Sequence, residues 1–217
     1  MTLEERDLEL RALRLSLALA PTAESHRVVA EAYAARGVLD AAYDHFVAAL
    51  RLAPRDAATL DGLARVWRDW GFSNLGLTQA HRAIFHAPSS AAARNTLGSI
   101  LLKLGLPAEA RLAFESVLTL DPRAAYPWNN LCYVYLLEGR PVQAIDACRE
   151  ALARQPGLTA AQNNLALAYT MSGEPGKAED LLRKAAAGNG PHAARIRQNL
   201  ALVLGVQGKH DEARQLA

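Results

Sequence analysis

Cysteine, aromatic residues and net charge are all scarce in this 217-residue chain, and each scarcity removes a class of protein. Two cysteines, Cys132 and Cys148, are too few for a disulfide framework and match no zinc spacing. Only four Phe occur although 51% of the residues are hydrophobic, so Ala and Leu must build the core, which suits closely packed helices better than sheets. A formal net charge of +2 gives no electrostatic reason to expect nucleic acid or an anionic membrane as the main partner. No apolar run is long enough to cross a bilayer, so no membrane insertion is expected. The most apolar early stretch, Leu8 to Ala20, carries Arg11 and Arg14 and follows Glu4, Glu5 and Asp7, unlike a signal peptide. As written, the chain reads as cytoplasmic; it reads as periplasmic if an upstream signal segment has been removed.

Signs of catalysis are equally thin. The histidines, His26, His45, His81, His86, His192 and His210, include no i,i+4 pair within a helix, and no HExxH or Gly-rich phosphate loop occurs. Acidic residues are scattered at ordinary spacing over what read as solvated helix faces. No enzyme, cofactor or metal site is expected.

What the chain does have is a beat. Gly37, Gly71, Gly105, Gly139 and Gly173 stand 34 residues apart, and Pro54, Pro88, Pro122 and Pro156 keep the same interval. A period of this length means one supersecondary unit copied along a solenoid. The register yields repeats 1 to 5 as Ala23–Asp56, Ala57–Ser90, Ala91–Ala124, Ala125–Leu158 and Thr159–His192. Each should hold two antiparallel helices. The glycine reverses the chain through a left-handed C-cap, and the proline stops the second helix. Small residues should meet where the paired helices cross: Ala30, Ala64, Gly98, Cys132 and Ala166 against Ala42, Gly76, Ala110, Ala144 and Ala178.

These residues resemble the tetratricopeptide repeat, with its pattern W-x2-L-G-x2-Y, A-x3-F and P. Repeat 1 reads Val29, Ala30, Tyr33, Gly37, Ala42, Phe46, Ala49, Pro54; repeat 4 reads Trp128, Leu131, Tyr135, Gly139, Ala144, Ala151, Pro156, with Cys148 replacing the aromatic. Repeat 3 offers Leu97, Gly98, Gly105, Ala110, Phe114 and Pro122, and repeat 5 offers Leu165, Ala166, Tyr169, Gly173, Ala178 and Ala185. Repeat 5's closing proline slips to Pro191. Repeat 2 is irregular, with Trp67 at the tyrosine position and Gly76 at the second-helix alanine. The resemblance implies an all-α, right-handed superhelical solenoid of antiparallel helix pairs. Cys132 and Cys148 then point into one interface of repeat 4, where an ordinary reduced pair is the expectation and a redox bond the alternative.

The ends depart from the beat. Gln198-Asn199-Leu200-Ala201-Leu202 repeats Asn163-Asn164-Leu165-Ala166-Leu167 at a spacing of 35, after the Gly188-Asn189-Gly190-Pro191 turn. A truncated sixth repeat therefore spans 194–217, keeping Leu200, Leu204, Gly208 and Ala213, and its uncovered face invites end-to-end self-association. Residues 1–22 read as an N-terminal capping helix running from Glu4 to Ala20, with Leu8, Leu15 and Leu19 on a common side.

In the family, first helices line a concave groove that captures a peptide or helical segment of a partner protein. The resemblance carries that role onto Arg27, Arg65, Arg68, Asn95, Lys103, Tyr126, Asn129, Tyr133, Leu137, Asn163, Leu167 and Met171, with Leu102, Leu136, Leu202 and Val206 beside them. The groove would pass from charged to apolar along the array. The carboxylate clamp of chaperone-binding members is not matched: Arg27 fits its first position, but Glu31 would repel the carboxylate and Gly62 replaces an asparagine. A narrower resemblance, to bacterial Flp/Tad pilus assembly proteins of TadD type and more loosely to pilotin-like repeat proteins, rests on the segment from Arg197 to Lys209. It implies a scaffold in pilus or secretion-system assembly. The alternatives are a co-chaperone-like or regulatory module cut from a larger protein and, more remotely, an RNA-binding helical repeat.

Overall fold

The computed structural model describes residues 7–186 and 193–216, which hold thirteen α-helices and no strand. In chain order these are α1 (Leu8–Leu19), α2 (Ala23–Ala35), α3 (Leu39–Leu52), α4 (Ala57–Asp69), α5 (Ser73–His86), α6 (Ala91–Lys103) and α7 (Pro107–Leu120). There follow α8 (Ala125–Leu137), α9 (Pro141–Arg154), α10 (Thr159–Met171), α11 (Pro175–Ala186), α12 (Ala193–Val206) and α13 (His210–Leu216). The Gly188 to Pro191 turn, the start of the N-terminal helix at Glu4 and the terminal Ala217 lie outside the described residues.

Each hairpin turns on its glycine. Gly37, Gly71, Gly105, Gly139, Gly173 and Gly208 all have positive φ, from 68° at Gly139 to 91° at Gly71, a region in which a Cβ is penalised. The second helices α3, α5, α7 and α9 end at Leu52, His86, Leu120 and Arg154, just ahead of Pro54, Pro88, Pro122 and Pro156. First helices begin at a further recurring residue. Thr22, Asp56 and Ser90 accept hydrogen bonds from the backbone N–H groups of Ser25, Thr59 and Ala93 and so cap α2, α4 and α6. Ala124 and Leu158, at the same register, make no such bond at the starts of α8 and α10.

The chain divides into two compact units, one ending at Leu120 and the other starting at Asp121. In the first, a core of Val29, Ala30, Tyr33, Ala42, Phe46, Leu63 and Val66 also takes in Leu10 of α1. Leu13 and Leu17 pack beside it, and Arg36 holds α1 through ion pairs with Asp7 and, at 2.8 Å, Glu9. Leu8, Leu15 and Leu19 do share a side, but it is the solvent-facing one. The helix carries two apolar stripes, and the Leu10–Leu13–Leu17 stripe is the one buried. Trp67 of the irregular repeat 2 joins Tyr43, Trp70 and Phe72 in a ring cluster, packing edge-on against Tyr43 with centroids 5.1 Å apart.

In the second unit Ala166, Ala178, Leu182, Ile196, Leu200, Val203 and Leu204 form the core. Charged groups tie α13 to α11: Lys209 Nζ lies 2.7 Å from Glu179 Oε2, and Arg183 bridges Glu179 at 2.8 Å and Glu212 at 2.6 Å.

The crossing of paired helices shows one slot filled in different ways. Gly76 lets α5 approach α4 so closely that a Cβ there would lie 2.8 Å from the Ala64 carbonyl oxygen. In repeat 3 the ring of Phe114 lies on Gly98, where a Cβ would come within 2.5 Å of it. In repeat 1 the equivalent Phe46 leans instead onto Gly62 of the next helix. Ala80 and Leu182 take the slot in repeats 2 and 5, and both are fully buried. In repeat 4 the slot holds a covalent bond. Cys132 of α8 and Cys148 of α9 form a disulfide, which corrects the expectation of a reduced pair. Their Cα atoms stand 5.2 Å apart, within the span a disulfide bridges, and both side chains enter the volume that a ring fills elsewhere.

Candidate functional site

The first helices of the second unit, α8, α10 and α12, lie side by side, α10 touching both neighbours. Their common face is apolar and open to solvent. Tyr126, Tyr133 and Leu137 on α8, Leu167 and Met171 on α10, and Leu202 and Val206 on α12 are each at least 39% exposed. Among the described residues of this unit the only other exposed large apolar side chain is Val142 of α9. Tyr126 keeps its proton to higher pH than usual, because partial burial and then the Asp121 carboxylate disfavour the phenolate. Leu136 is buried and completes the core.

Asparagines stitch this face together. Asn164 Nδ2 donates to Asn129 Oδ1 at 3.1 Å across α10 and α8, and Asn199 Nδ2 donates to Asn163 Oδ1 at 3.3 Å across α12 and α10. Asn163 is itself nine-tenths buried. Between α10 and α12 lies a cavity of about 400 Å³, walled by Leu167, Leu202, Val203 and Val206 and bordered by Asn163, Asn199 and Arg195. Such a hollow, apolar with a few convergent polar groups, is suited to an inserted side chain.

The corresponding face of the first unit, built on α2, α4 and α6, is charged and largely self-satisfied. Arg27 pairs with Glu24 at 2.5 Å and Glu31 at 2.7 Å, and both carboxylates raise its already high pKa. Arg65 Nε sits 3.2 Å from Asp61 Oδ2, and Arg68 binds Asp69 at 2.8 Å. The Arg65–Asp61 contact is electrostatic rather than a good hydrogen bond, since Arg65 Nε and Asp61 Oδ1 are buried with no hydrogen-bond partner among the described residues. Asn95 is half-buried and its carbonyl accepts from Ser99 Oγ at 2.9 Å. Lys103 is exposed and borders a separate hollow with Gly71, Phe72 and Leu75.

The structure thus gathers Tyr126, Asn129, Tyr133, Leu137, Asn163, Leu167 and Met171 on one continuous wall. It leaves Arg27, Arg65 and Arg68 occupied by acids of their own helices. The spacings Arg27–Glu31 and Asp61–Arg65 are i,i+4 pairs, so their mutual neutralisation is readable from sequence. Sequence reasoning left Arg195 and Asn199 off the groove, although the 35-residue spacing that gives Leu202 and Val206 also places them on α12. It also missed His26 and His45, whose Nδ1 atoms meet at 3.1 Å across α2 and α3. Among the described residues no three metal-ligating side chains converge, and no helix is long and apolar enough to cross a membrane.

Comparison with known proteins agrees with this architecture. One tetratricopeptide repeat model matches residues 71–125 and again 96–159, and a second matches 135–190. No curated protein matches. Among solved structures, the thermophilic tetratricopeptide protein TTC0263 of Thermus thermophilus is 23% identical, with a TM-score of 0.74 over 84% of this chain and 99% of its own. PilF of Pseudomonas aeruginosa is 21% identical, with a TM-score of 0.76 over 89% of this chain and 88% of its own. PilW, a widely conserved type IV pilus biogenesis factor, is 19% identical, with a TM-score of 0.81 over 89% and 90%. At such identities the likeness is one of fold alone. With glycine-turned helix pairs, proline stops and two family models that together run from residue 71 to 190, the chain belongs to the tetratricopeptide repeat proteins.

Proposed function

We propose that the chain is a non-enzymatic scaffold whose first-helix wall in the second unit captures a peptide or helical segment of a partner protein. The observation that carries this reading is the concentration of exposed apolar and aromatic side chains, Tyr126, Tyr133, Leu137, Leu167 and Met171 foremost, on a single face. Exposed apolar surface gathered in one patch marks an interaction site, and aromatic residues with a polar tip suit its wet rim. Pilus or secretion-system assembly is the setting we favour. Its supports are the resemblance of the Arg197 to Lys209 segment to TadD-type proteins and the shared fold of PilF and PilW.

The test is partner recovery from extract with the wild type and with Tyr133→Ala and Met171→Ala. Both side chains are about half exposed, so the fold should survive their truncation, checked by circular dichroism. Each truncation is expected to weaken binding by about 1–2 kcal/mol. Unchanged recovery with both variants removes this wall as the binding site.

A further inference from the structure

The cavity between α10 and α12 is graded along its length. On α12, Arg195, Asn199, Leu202 and Val206 follow one another at intervals of four, three and four residues, which places them on one face of the helix. The face therefore runs from a cation, through an amide, to hydrocarbon. On α10, Asn163 precedes Leu167 in the same sense. Arg195 is exposed, forms no ion pair among the described residues, and is the one charged side chain lining the cavity. Asn163, nine-tenths buried, spends its Oδ1 on Asn199 and has no acceptor for its own amide N–H groups among the described residues.

We propose, resting on the reading above, that this cavity takes an extended acidic and apolar segment of a partner protein. The segment seats an apolar side chain between Leu167, Leu202 and Val206 and an internal Asp or Glu carboxylate on Arg195. Charge complementarity selects the acid, since an unpaired guanidinium at the end of an apolar hollow is best matched by a carboxylate. Asn163 supplies donors to a backbone carbonyl of the segment lying between. Spacing follows from helix geometry. Arg195 and Leu202 are seven residues apart on α12, about 10 Å along its axis. A segment in polyproline II conformation advances about 3.1 Å per residue and returns to the same face every third residue, so acid and apolar anchor stand about three residues apart.

The experiment uses immobilised eight-residue peptides of serine and alanine, acetylated and amidated, with aspartate and leucine three residues apart. One control carries asparagine for the aspartate. A second carries asparagine and a free terminal carboxylate. Binding of the full chain is measured by surface plasmon resonance. The wild type is expected to prefer the aspartate peptide about tenfold, and Arg195→Gln to abolish that preference while leaving the asparagine peptide unchanged. Leu202→Ser should weaken both. The proposal is overturned if the aspartate peptide does not bind, if aspartate and asparagine peptides bind alike, if Arg195→Gln weakens both equally, or if the free-terminus control binds as well as the aspartate peptide. Should the acid preference fail while Tyr133→Ala and Met171→Ala still weaken partner recovery, only the acid requirement falls; if those variants recover partner normally, the wall itself falls.

Discussion

Single atoms decide how repeat 3 closes. Gly98 and Phe114 fit because the glycine has no side chain where the ring lies, so Gly98→Ala inserts a methyl into filled space. Overpacking of a sealed core destabilises by about 1–3 kcal/mol, more than the gain in helix propensity of alanine over glycine, about 1 kcal/mol at most. A lowered urea midpoint for Gly98→Ala, relieved when Phe114→Leu is added, is the expected result. Unchanged stability would show that the ring moves aside freely. The carboxylate of Glu179 illustrates the electrostatic side of the same scale. Hydrogen bonds from Lys209 first, then Arg183, hold its pKa at about 2, against partial desolvation. Because the folded value is depressed, its stabilising contribution is complete above the unfolded carboxyl's pKa near ~4.3 and is lost as pH falls toward about 2. Acid unfolding of the wild type between those limits should therefore be steeper than that of Glu179→Gln. Identical acid profiles would show that the Lys209 and Arg183 contacts are not maintained in solution.

At the level of helices, the Cys132–Cys148 bond joins α8 to α9, and α8 carries Tyr126, Asn129, Tyr133 and Leu137. Closing a loop between cysteines 16 apart in sequence should contribute about 3 kcal/mol through the unfolded state. Unfolding in denaturant with and without a reductant should differ by that amount, and the difference should vanish in Cys132→Ala/Cys148→Ala. Alkylation of the denatured, unreduced protein should label neither cysteine; labelling of both would mean that the bond is absent. Much of this level was legible beforehand. The glycine and proline beat located the helix pairs, whereas the caps Thr22, Asp56 and Ser90, which recur at the same 34-residue interval, were found only in the structure. The bond was not legible, because spacing placed both cysteines in one interface without giving the separation across it. Nor was the orientation of α1: its Leu8–Leu15–Leu19 and Leu10–Leu13–Leu17 stripes satisfy the same helical period, and only packing on Tyr33 and Val29 chooses between them. On the candidate wall, the apolar members could be read from register. Arg195 stands at the position of Ala160 in the same 35-residue spacing that gives Leu202 and Val206, but spacing does not show the hollow beside it.

Across the whole molecule, a repeat array distributes stability through neighbour contacts, so its ends should open first. Only Leu10 of α1 is buried, and α13 buries no residue fully. Amide hydrogen exchange should be fastest in α1 and α13 and slowest in the inner pairs such as α4 with α5 and α8 with α9. Uniform protection from end to end would contradict a neighbour-by-neighbour build. The disulfide acquires a different meaning when the chain is pulled from its two ends. It crosses a single hairpin, so the packing between repeats is backed by no cross-link. Contacts of that kind should give way under tension whether or not the cysteines are joined. Once repeat 4 itself yields, the chain between the two cysteines, which stand 16 apart in sequence, cannot be drawn out. At about 3.4 Å per residue the fully stretched oxidised chain is then shorter than the reduced one by about 50 Å. The bond is a limit on extension, set into one repeat of an otherwise extensible series.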